Sequence, residues 1–365
     1  MENLKTKEIF TRLLELLILK SKFNSIIYSY RRLFSVLTKL KERKKIMNEK
    51  AILIVTHRRG FEADPVIDEL RRRGVNVFRF NTDDGNKISF VSFRSETEEI
   101  EFVCDNRHIV DSNIAVGWCQ QLPPYLAQAG DERESLQREN LLALQLSTLD
   151  LLRIPWFNRP QHVLYASNKI NQIVAARAVG LNVPRTIISN DPTAIRTFAS
   201  KQTIVAKNLA TPWIISQKET RAAYTKIVDP SWLTDDLALS FAPIIYQEYR
   251  ERKRDFRVVM VDNQAFSASC IPGPHQHEDV RKEGGTGESF AACDFDAEAL
   301  RKLRLLMQKL HLDYCAADFI EDKNGNLFFL EVNTCGAWWW LDCLYDGAIC
   351  NSLADALTAR VGDSI

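Results

Sequence analysis

The stretch Tyr314-Cys-Ala-Ala-Asp318-Phe-Ile-Glu-Asp-Lys-Asn-Gly-Asn-Leu-Phe-Phe-Leu-Glu331-Val-Asn333 sets two apolar runs on either side of Asn324-Gly325. That dipeptide tolerates the positive φ angles of a tight hairpin turn, so the stretch reads as two antiparallel strands. With Asn324 and Gly325 as the turn, Lys323 faces Asn326, and counting outward sets Asp318 opposite Glu331. Cross-strand partners have Cβ atoms about 5 Å apart, and Asn333, two residues beyond Glu331, points to the same side. Two carboxylates and an amide oxygen this close are poorly satisfied in a half-buried sheet unless a hard cation joins them. Magnesium suits the set, because it takes few carboxylates and completes its shell with water and phosphate oxygens. The competing reading, a solvated hairpin with ordinary surface acids, fits badly with such apolar neighbours.

Outward from the hairpin, the chain of 365 residues is long enough for two or three domains, and its 45% hydrophobic content supports real cores. A formal net charge of +1 gives no case for nucleic acid. Charge is concentrated at the start, where residues 1–50 hold 13 Lys and Arg against 5 Glu. Apolar positions there, from Phe10 to Leu17 and from Ile26 to Leu40, recur at helical spacing and predict basic amphipathic helices. Such a block could dock on the body, pair with another copy as a homodimer contact, hold a peptide or lie on an anionic membrane. No apolar run is long enough for a transmembrane segment, and no cleavage site follows the first residues. The eight cysteines show no zinc spacing and read as reduced thiols of a cytoplasmic protein.

From Lys50 the pattern becomes α/β. Ala51 to Thr56 is a short apolar strand, a helix runs to Gly74, and Val75 to Phe80 is a second strand of a parallel sheet. Residues 88–117 alternate like antiparallel strands, and a polar helix runs from about Glu132 to Arg153. Further on come a helix from Lys169 to Val179 stopped by Gly180, a strand from Pro184 to Ser189, and a helix capped at Asn190-Asp191-Pro192. Strands follow at Thr203 to Lys207, Ile244 to Glu248 and Phe256 to Val261, then a glycine-rich loop at 284–287 and a helix from Ala297 to Leu310.

Some of these positions carry chemistry. Lys207 ends an apolar strand beside a turn, from which a lysine reaches phosphate as a point charge. Gln247 and Glu248 close a strand and could offer groups to a purine edge and a ribose. Asp255-Phe-Arg257 opens a strand, and Asp279-Val-Arg281 precedes the glycines; arginines on either side of a magnesium site stabilise charge on a transferring phosphoryl group. The competing reading of 250–257 is a basic surface turn. His275 and His277 lack a third ligand at metal spacing and read as solvent-facing.

In their order, Lys169, Lys207, Gln247-Glu248, Asp255-Phe-Arg257, Asp318-Phe and Phe329-Leu-Glu331-Val-Asn333 resemble the layout of ATP-grasp ligases. The sequence is most similar to the graspetide synthetases, the microviridin-type maturases of ribosomal peptides. Further marks are Phe78-Arg-Phe-Asn-Thr-Asp-Asp84, Asn158-Arg-Pro160, Asn168-Lys169, Gly180 to Thr186, Ser189 to Pro192 and Cys335-Gly-Ala-Trp338. The resemblance covers about residues 50–360. It implies an α/β (α+β) ATP-grasp fold: a helical extension at 1–47, a pre-ATP-grasp α/β domain at 48–155, a central lobe at 156–247 and a C-terminal lobe at 248–365. It implies that Lys169 and Lys207 hold ATP phosphates, that Gln247 and Glu248 line the adenine and ribose pocket, and that Asp318, Glu331 and Asn333 bind Mg2+. Arg257 and Arg281 would face the acceptor carboxylate and the γ-phosphate.

The family activates an Asp or Glu side chain of a precursor peptide as an acyl phosphate. A Lys amine or a Ser or Thr hydroxyl of the core then closes an ω-amide or ω-ester ring, while the leader binds separately. Three departures bear on the substrate. Thr334 stands where proline is usual, Asp342 where Glu is common, and the turn after Lys207 is poor in glycine. Two other readings remain open at this level: a RimK-like ligase that joins amino acids or extends a peptide terminus, and a non-catalytic module that binds ATP or peptide.

Overall fold

The structure, a computed structural model, describes residues 50–83, 89–122, 132–210, 213–215, 220–273, 279 and 289–362. The strand Lys45–Ile46 and residues 132–134, 213–215 and 220–222 are described by backbone alone. Most of the basic block at 1–47, the histidines at 275 and 277, Arg281 and the glycines at 284–287 lie outside the described residues. At the end of that block, beyond the residues read as helical, Lys45–Ile46 is a strand parallel to Arg107 and His108.

Ala51–Thr56, Val77–Asn81, Ile114–Cys119 and Trp156–Phe157 form a parallel sheet in the order 77–81, 51–56, 114–119, 156–157. Every residue of Ala51–Thr56 is buried, as in a parallel strand covered on both faces. The helix Ala63–Arg72 lies against this sheet through Ala63, Val66, Ile67 and Leu70, the spacing of a single helical face. Gly74, at φ +75°, ends the turn as the sequence predicts. The strands Ser89–Arg94, Glu99–Cys104 and Arg107–Val110 are antiparallel, as expected, but Ile114–Cys119 leaves them and joins the parallel sheet. Its six residues are all buried, so it belongs where both faces are covered.

Two larger antiparallel sheets follow, besides a two-stranded antiparallel ladder of Trp213–Ile215 with Thr220–Ala222. One runs in the order Lys226–Ile227, Ile204–Lys207, Ile244–Glu248, Thr186–Ser189. The other is five-stranded: Ala291–Ala292, Gln264–Cys270, Arg252–Val261, Tyr314–Asp322, Leu327–Asn333. The third strand begins at Arg252, so the segment 250–257 is no surface turn but largely sheet. One face of the five-stranded sheet (Phe256, Val258, Met260, Ala317, Phe319, Phe329, Val332) packs on the helix Ala297–Leu310 through Leu303, Leu306, Met307 and Leu310. Asp296 caps that helix, its side chain accepting from Ala299 N at 2.7 Å.

The opposite face is divided. Val259, Val261, Phe266, Ala268 and Ala316 share a core with the N-terminal parallel sheet and the helix Ala348–Gly362. On that same face stand Arg257 and Asp318, next along their strands, and Glu331 and Asn333 on the neighbouring last strand. Apolar packing therefore fixes the sheet on both sides and leaves one partly open corner for charge.

Candidate active site

Asp318 pairs with Glu331, as the count from the sequence predicts. The turn, however, is not the expected two-residue one. Asp322 N donates to Asn326 O at 2.9 Å, leaving a three-residue loop with Gly325 at φ +82°. Asp322 is the cause: its Oδ1 accepts from Asn324 N (2.9 Å) and Asn326 N (2.8 Å), an Asx-type arrangement that competes with the tighter turn. This shifts the register by one residue through Glu321↔Leu327, Ile320↔Phe328 and Phe319↔Phe329. A bulge between that last pair and Asp318↔Glu331 shifts it back, so Leu330 is the extra residue.

At the restored register the polar side chains meet. Asn333 Nδ2 donates to Asp318 Oδ2 (3.2 Å) and to Glu331 Oε1 (3.3 Å). Arg257, paired with Asp318 across the neighbouring strand, donates through Nη1 to both its oxygens (2.7 and 2.9 Å) and through Nη2 to Ala337 O (3.1 Å). Its Nε is buried and has no partner among the described residues. Lys169 Nζ donates to Glu331 Oε2 at 2.6 Å. Lysine reaches the carboxylate because its helix, Lys169–Ala178, is anchored at both ends of its first turn. Asn168 Oδ1 accepts from Ile170 N and Asn171 N (2.9 and 3.3 Å). Gln172 clamps the Val332 backbone, donating to its O (2.8 Å) and accepting from its N (3.0 Å).

Lys207 and Gln247 come from the four-stranded sheet. Lys207 Nζ donates to Gln247 Oε1 (2.8 Å), and Gln247 Nε2 donates to Thr186 Oγ1 (3.0 Å). Glu248 is engaged elsewhere: it pairs with Arg250 (2.9 Å) and accepts from Arg185 N (3.3 Å). Thus Lys169, Arg257, Asp318, Glu331 and Asn333 form one contacting network, Lys207 with Gln247 forms a second, and Glu248 is held by Arg250 and Arg185 N instead. Arg281 lies outside the described residues.

The electrostatics of this corner favour an anion together with a cation. Burial lowers the proton affinity of Lys207, which Glu331 only partly restores while Lys169 and Arg252 oppose it. A neutral amide oxygen is its hydrogen-bond partner, so a phosphate oxygen would relieve it. Burial raises the Asp318 carboxyl above its usual range; Arg257 opposes the shift and the nearby Glu331 charge adds to it. Glu331 goes the other way: burial works against its charge, but Lys169, Lys207 and Asn333 outweigh it and hold the carboxyl at about 2. Burial opposes the charge on Arg257 too, and Asp318 more than compensates.

Among the described residues there is no group of three or more His, Cys, Asp or Glu side chains suited to a metal. The donor set here is two carboxylates and an amide, which matches magnesium's preference for a few oxygens with space for phosphate and water. The group fits, with Asp318, Glu331 and Asn333 as the residues that would hold it.

Several residues shape the corner in roles that the sequence reading did not assign. Asp255, two residues before Arg257, is buried beside Arg252 (2.6 Å), and burial pushes its carboxyl up to about 6. Asn158 is fully buried at φ +56°; its amide donates to Tyr314 O (2.9 Å) and Thr334 O (3.3 Å), and its oxygen accepts from Asp313 N and Tyr314 N. The only local sign of that role is an Asn, which tolerates the left-handed region, ahead of Arg-Pro. Gly336, Thr186 and Glu62 gave no local sign.

No protein-family model and no curated protein matches the chain. Solved structures do. A RiPP-associated ATP-grasp ligase of Chryseobacterium gregarium, in complex with ADP and a leader and core peptide, has a TM-score of 0.76 at 22% identity, covering 85% of this chain and 97% of that one. The macrocyclase MdnC of Microcystis aeruginosa MRC, bound with the precursor peptide MdnA, has a TM-score of 0.74 at 23% identity over 85% and 99% of the two chains. The ATP-grasp ligase PsnB, complexed with minimal precursor, Mg and ADP, has a TM-score of 0.67 at 22% identity over 86% and 99%. The chain has the ATP-grasp fold.

Proposed function

We propose that this protein is an ATP- and Mg2+-dependent ligase that joins a side-chain carboxylate to an amine or hydroxyl of a ribosomally made precursor peptide, releasing ADP and phosphate. The observation that carries the reading is the contacting network of Lys169, Glu331, Asn333, Asp318 and Arg257, with the buried, undercompensated Lys207 beside it. Three cations face two carboxylates there, a balance that suits a polyphosphate bound with a divalent ion.

In this reading Lys169 and Lys207 hold the phosphates of ATP, with Gln247 and Glu248 at the adenine and ribose. Magnesium, held by Asp318, Glu331 and Asn333, supplies charge neutralisation on the phosphate oxygens. Arg257, whose buried Nε has no partner among the described residues, and Arg281 orient the acceptor carboxylate against the γ-phosphate. Carboxylate oxygen attacks phosphorus, ADP leaves, and an acyl phosphate forms. The amine or hydroxyl then attacks the acyl carbon, loses its proton, and expels phosphate. Most of the acceleration comes from positioning and fixed charge, which is what phosphoryl transfer requires.

The peptide binds through a leader, and Asp, Glu, Lys, Thr and Ser of its core supply the ring-forming groups; two ATP-grasp ligases and a macrocyclase of similar structure are complexed with a peptide or precursor. The division at 47/48, 155/156 and 247/248 belongs to the same reading, as does self-association through the basic N-terminal block. No helix among the described residues is long and apolar enough to cross a membrane. The eight free cysteines suit a cytoplasmic site of action, where thiols stay reduced.

The test is direct. The protein is incubated with Mg2+, ATP and synthetic precursor peptides that carry a leader and a core rich in Thr, Lys, Asp and Glu, and the product is weighed by mass spectrometry. Loss of one water per ring with matching ADP release is expected, and Asp318→Ala with Glu331→Ala abolishes both. Undiminished condensation by that double variant overturns the assignment.

A further inference from the structure

The turn that follows the acidic hairpin holds the outer arm of the proposed catalytic arginine, since Arg257 Nη2 donates to Ala337 O at 3.1 Å. Three side chains from distant parts of the chain hold that turn. Asn158 Nδ2 donates to Thr334 O (3.3 Å), and the Tyr314 hydroxyl donates to Gly336 O (2.6 Å). The third comes from the N-terminal sheet: Glu62, immediately before the helix Ala63–Arg72, accepts at Oε1 from Trp338 N (3.0 Å) and Trp339 N (3.4 Å). These two amides come directly after the carbonyl that Arg257 grips.

Glu62 is only 7% exposed. A carboxylate buried this far is costly unless its charge is used, and two backbone N–H donors aimed at one oxygen form charge-assisted bonds stronger than neutral ones. The shared apolar core supplies the framework, since Trp338 and Leu341 pack in the same cluster as Val66, Ile67 and Leu70 of the Glu62 helix. Packing of that kind docks the two bodies without setting the orientation of a single turn. The carboxylate supplies the direction.

We propose that Glu62 is a positioning residue which, from the N-terminal sheet, fixes the turn at Ala337 to Trp339 and thereby the fork of Arg257 that faces the acceptor carboxylate. The placement of the N-terminal sheet is in this way coupled to the reacting groups. The inference rests on the ligase reading for its catalytic consequence, and on the hydrogen bonds alone for its structural one.

Glu62→Ala, Glu62→Gln and Glu62→Asp are compared with the parent in three measurements: backbone amide exchange at Trp338 and Trp339, binding of ADP with Mg2+ by calorimetry, and steady-state condensation of a precursor peptide with leader and core. In Glu62→Ala the two amides lose protection and kcat falls about ten- to a hundredfold, the scale of a misplaced catalytic group, while KM for ATP and ADP binding are unchanged. Glu62→Gln keeps an acceptor oxygen, restoring protection and most of kcat. Glu62→Asp, one methylene short, behaves as Glu62→Ala. A folded Glu62→Ala with protected amides and parental kcat overturns the proposal, and so does a loss of kcat matched by an equal loss of nucleotide affinity. If Glu62→Ala does not fold, the contrast between Gln and Asp decides. Failure of the ligase reading has a different signature, no ADP binding and no condensation by the parent, and amide exchange then still decides whether Glu62 holds the turn.

Discussion

Gly336 lies where the chain leaves the last strand and passes beside Arg257, and replacing it with alanine is the sharpest test of how the corner is packed. A β-carbon at this position would stand 2.6 Å from Ala316 Cβ, 2.8 Å from Arg257 Nη2 and 2.8 Å from Asn333 Cβ. Carbon atoms rest at about 3.5–4.0 Å, so each overlap approaches 1 Å. Ala316 and Asn333 are paired directly across adjacent strands, so neither β-carbon can swing away without bending the sheet. The guanidinium can move, but only by giving up Ala337 O and its two-pronged contact with Asp318. Overpacking of this kind costs about 1–3 kcal/mol, which lowers Tm by roughly 1–4 °C in a chain of this size. The functional loss exceeds the structural one, because displacing a catalytic group by about 1 Å costs on the order of a hundredfold in turnover. Scanning calorimetry and ADP release with Mg2+ and the peptide read both effects. A Gly336→Ala protein with the parent's Tm and kcat would refute the packing of this turn against Arg257 and Asn333.

Lys169→Ala removes the counter-ion that holds the Glu331 carboxyl at about 2. A carboxyl depressed in the folded state contributes stability that is present above its unfolded pKa, near 4.5, and is lost as pH falls through about 2. The variant therefore shows a shallower acid limb between those values, together with weaker Mg2+-dependent ADP binding; acid unfolding and calorimetry check the two, and an unchanged acid limb contradicts the pairing. Asn158→Ala strips two backbone carbonyls of a donor and two backbone amides of an acceptor in a fully buried position. It also puts alanine at φ +56°. The expected loss is about 3 kcal/mol in urea unfolding with an unaltered slope, and a loss below about 1 kcal/mol would mean that Asn158 does not tie the two strands together.

The α/β order of the chain, the strands that bear Lys207, Arg257 and Asp318, and the helix that begins at Lys169 were legible because each is spelled by local periodicity, caps and glycines. The residues that aim those groups were not. Glu62 meets Trp338 across 276 residues, Asn158 meets Tyr314 across 156, and Gln172 meets Val332 across 160. Nothing in the neighbourhood of a polar residue says which distant backbone it will bind, since that follows from how apolar faces dock. The hairpin is the instructive case, because the pairing of Asp318 with Glu331 is correctly counted through a turn that the chain does not make. Asp322 recruits Asn324 and Asn326 into a longer loop, which alone would set Glu331 opposite Ala317, a residue of the core against the helix Ala297–Leu310. A one-residue slip sends every later side chain to the other face of a strand. The extra residue at Leu330 cancels the slip, keeping Phe329 and Val332 in the core while Glu331 and Asn333 remain with Asp318. Loop and bulge are thus one device, and the polar corner exists only where both are present.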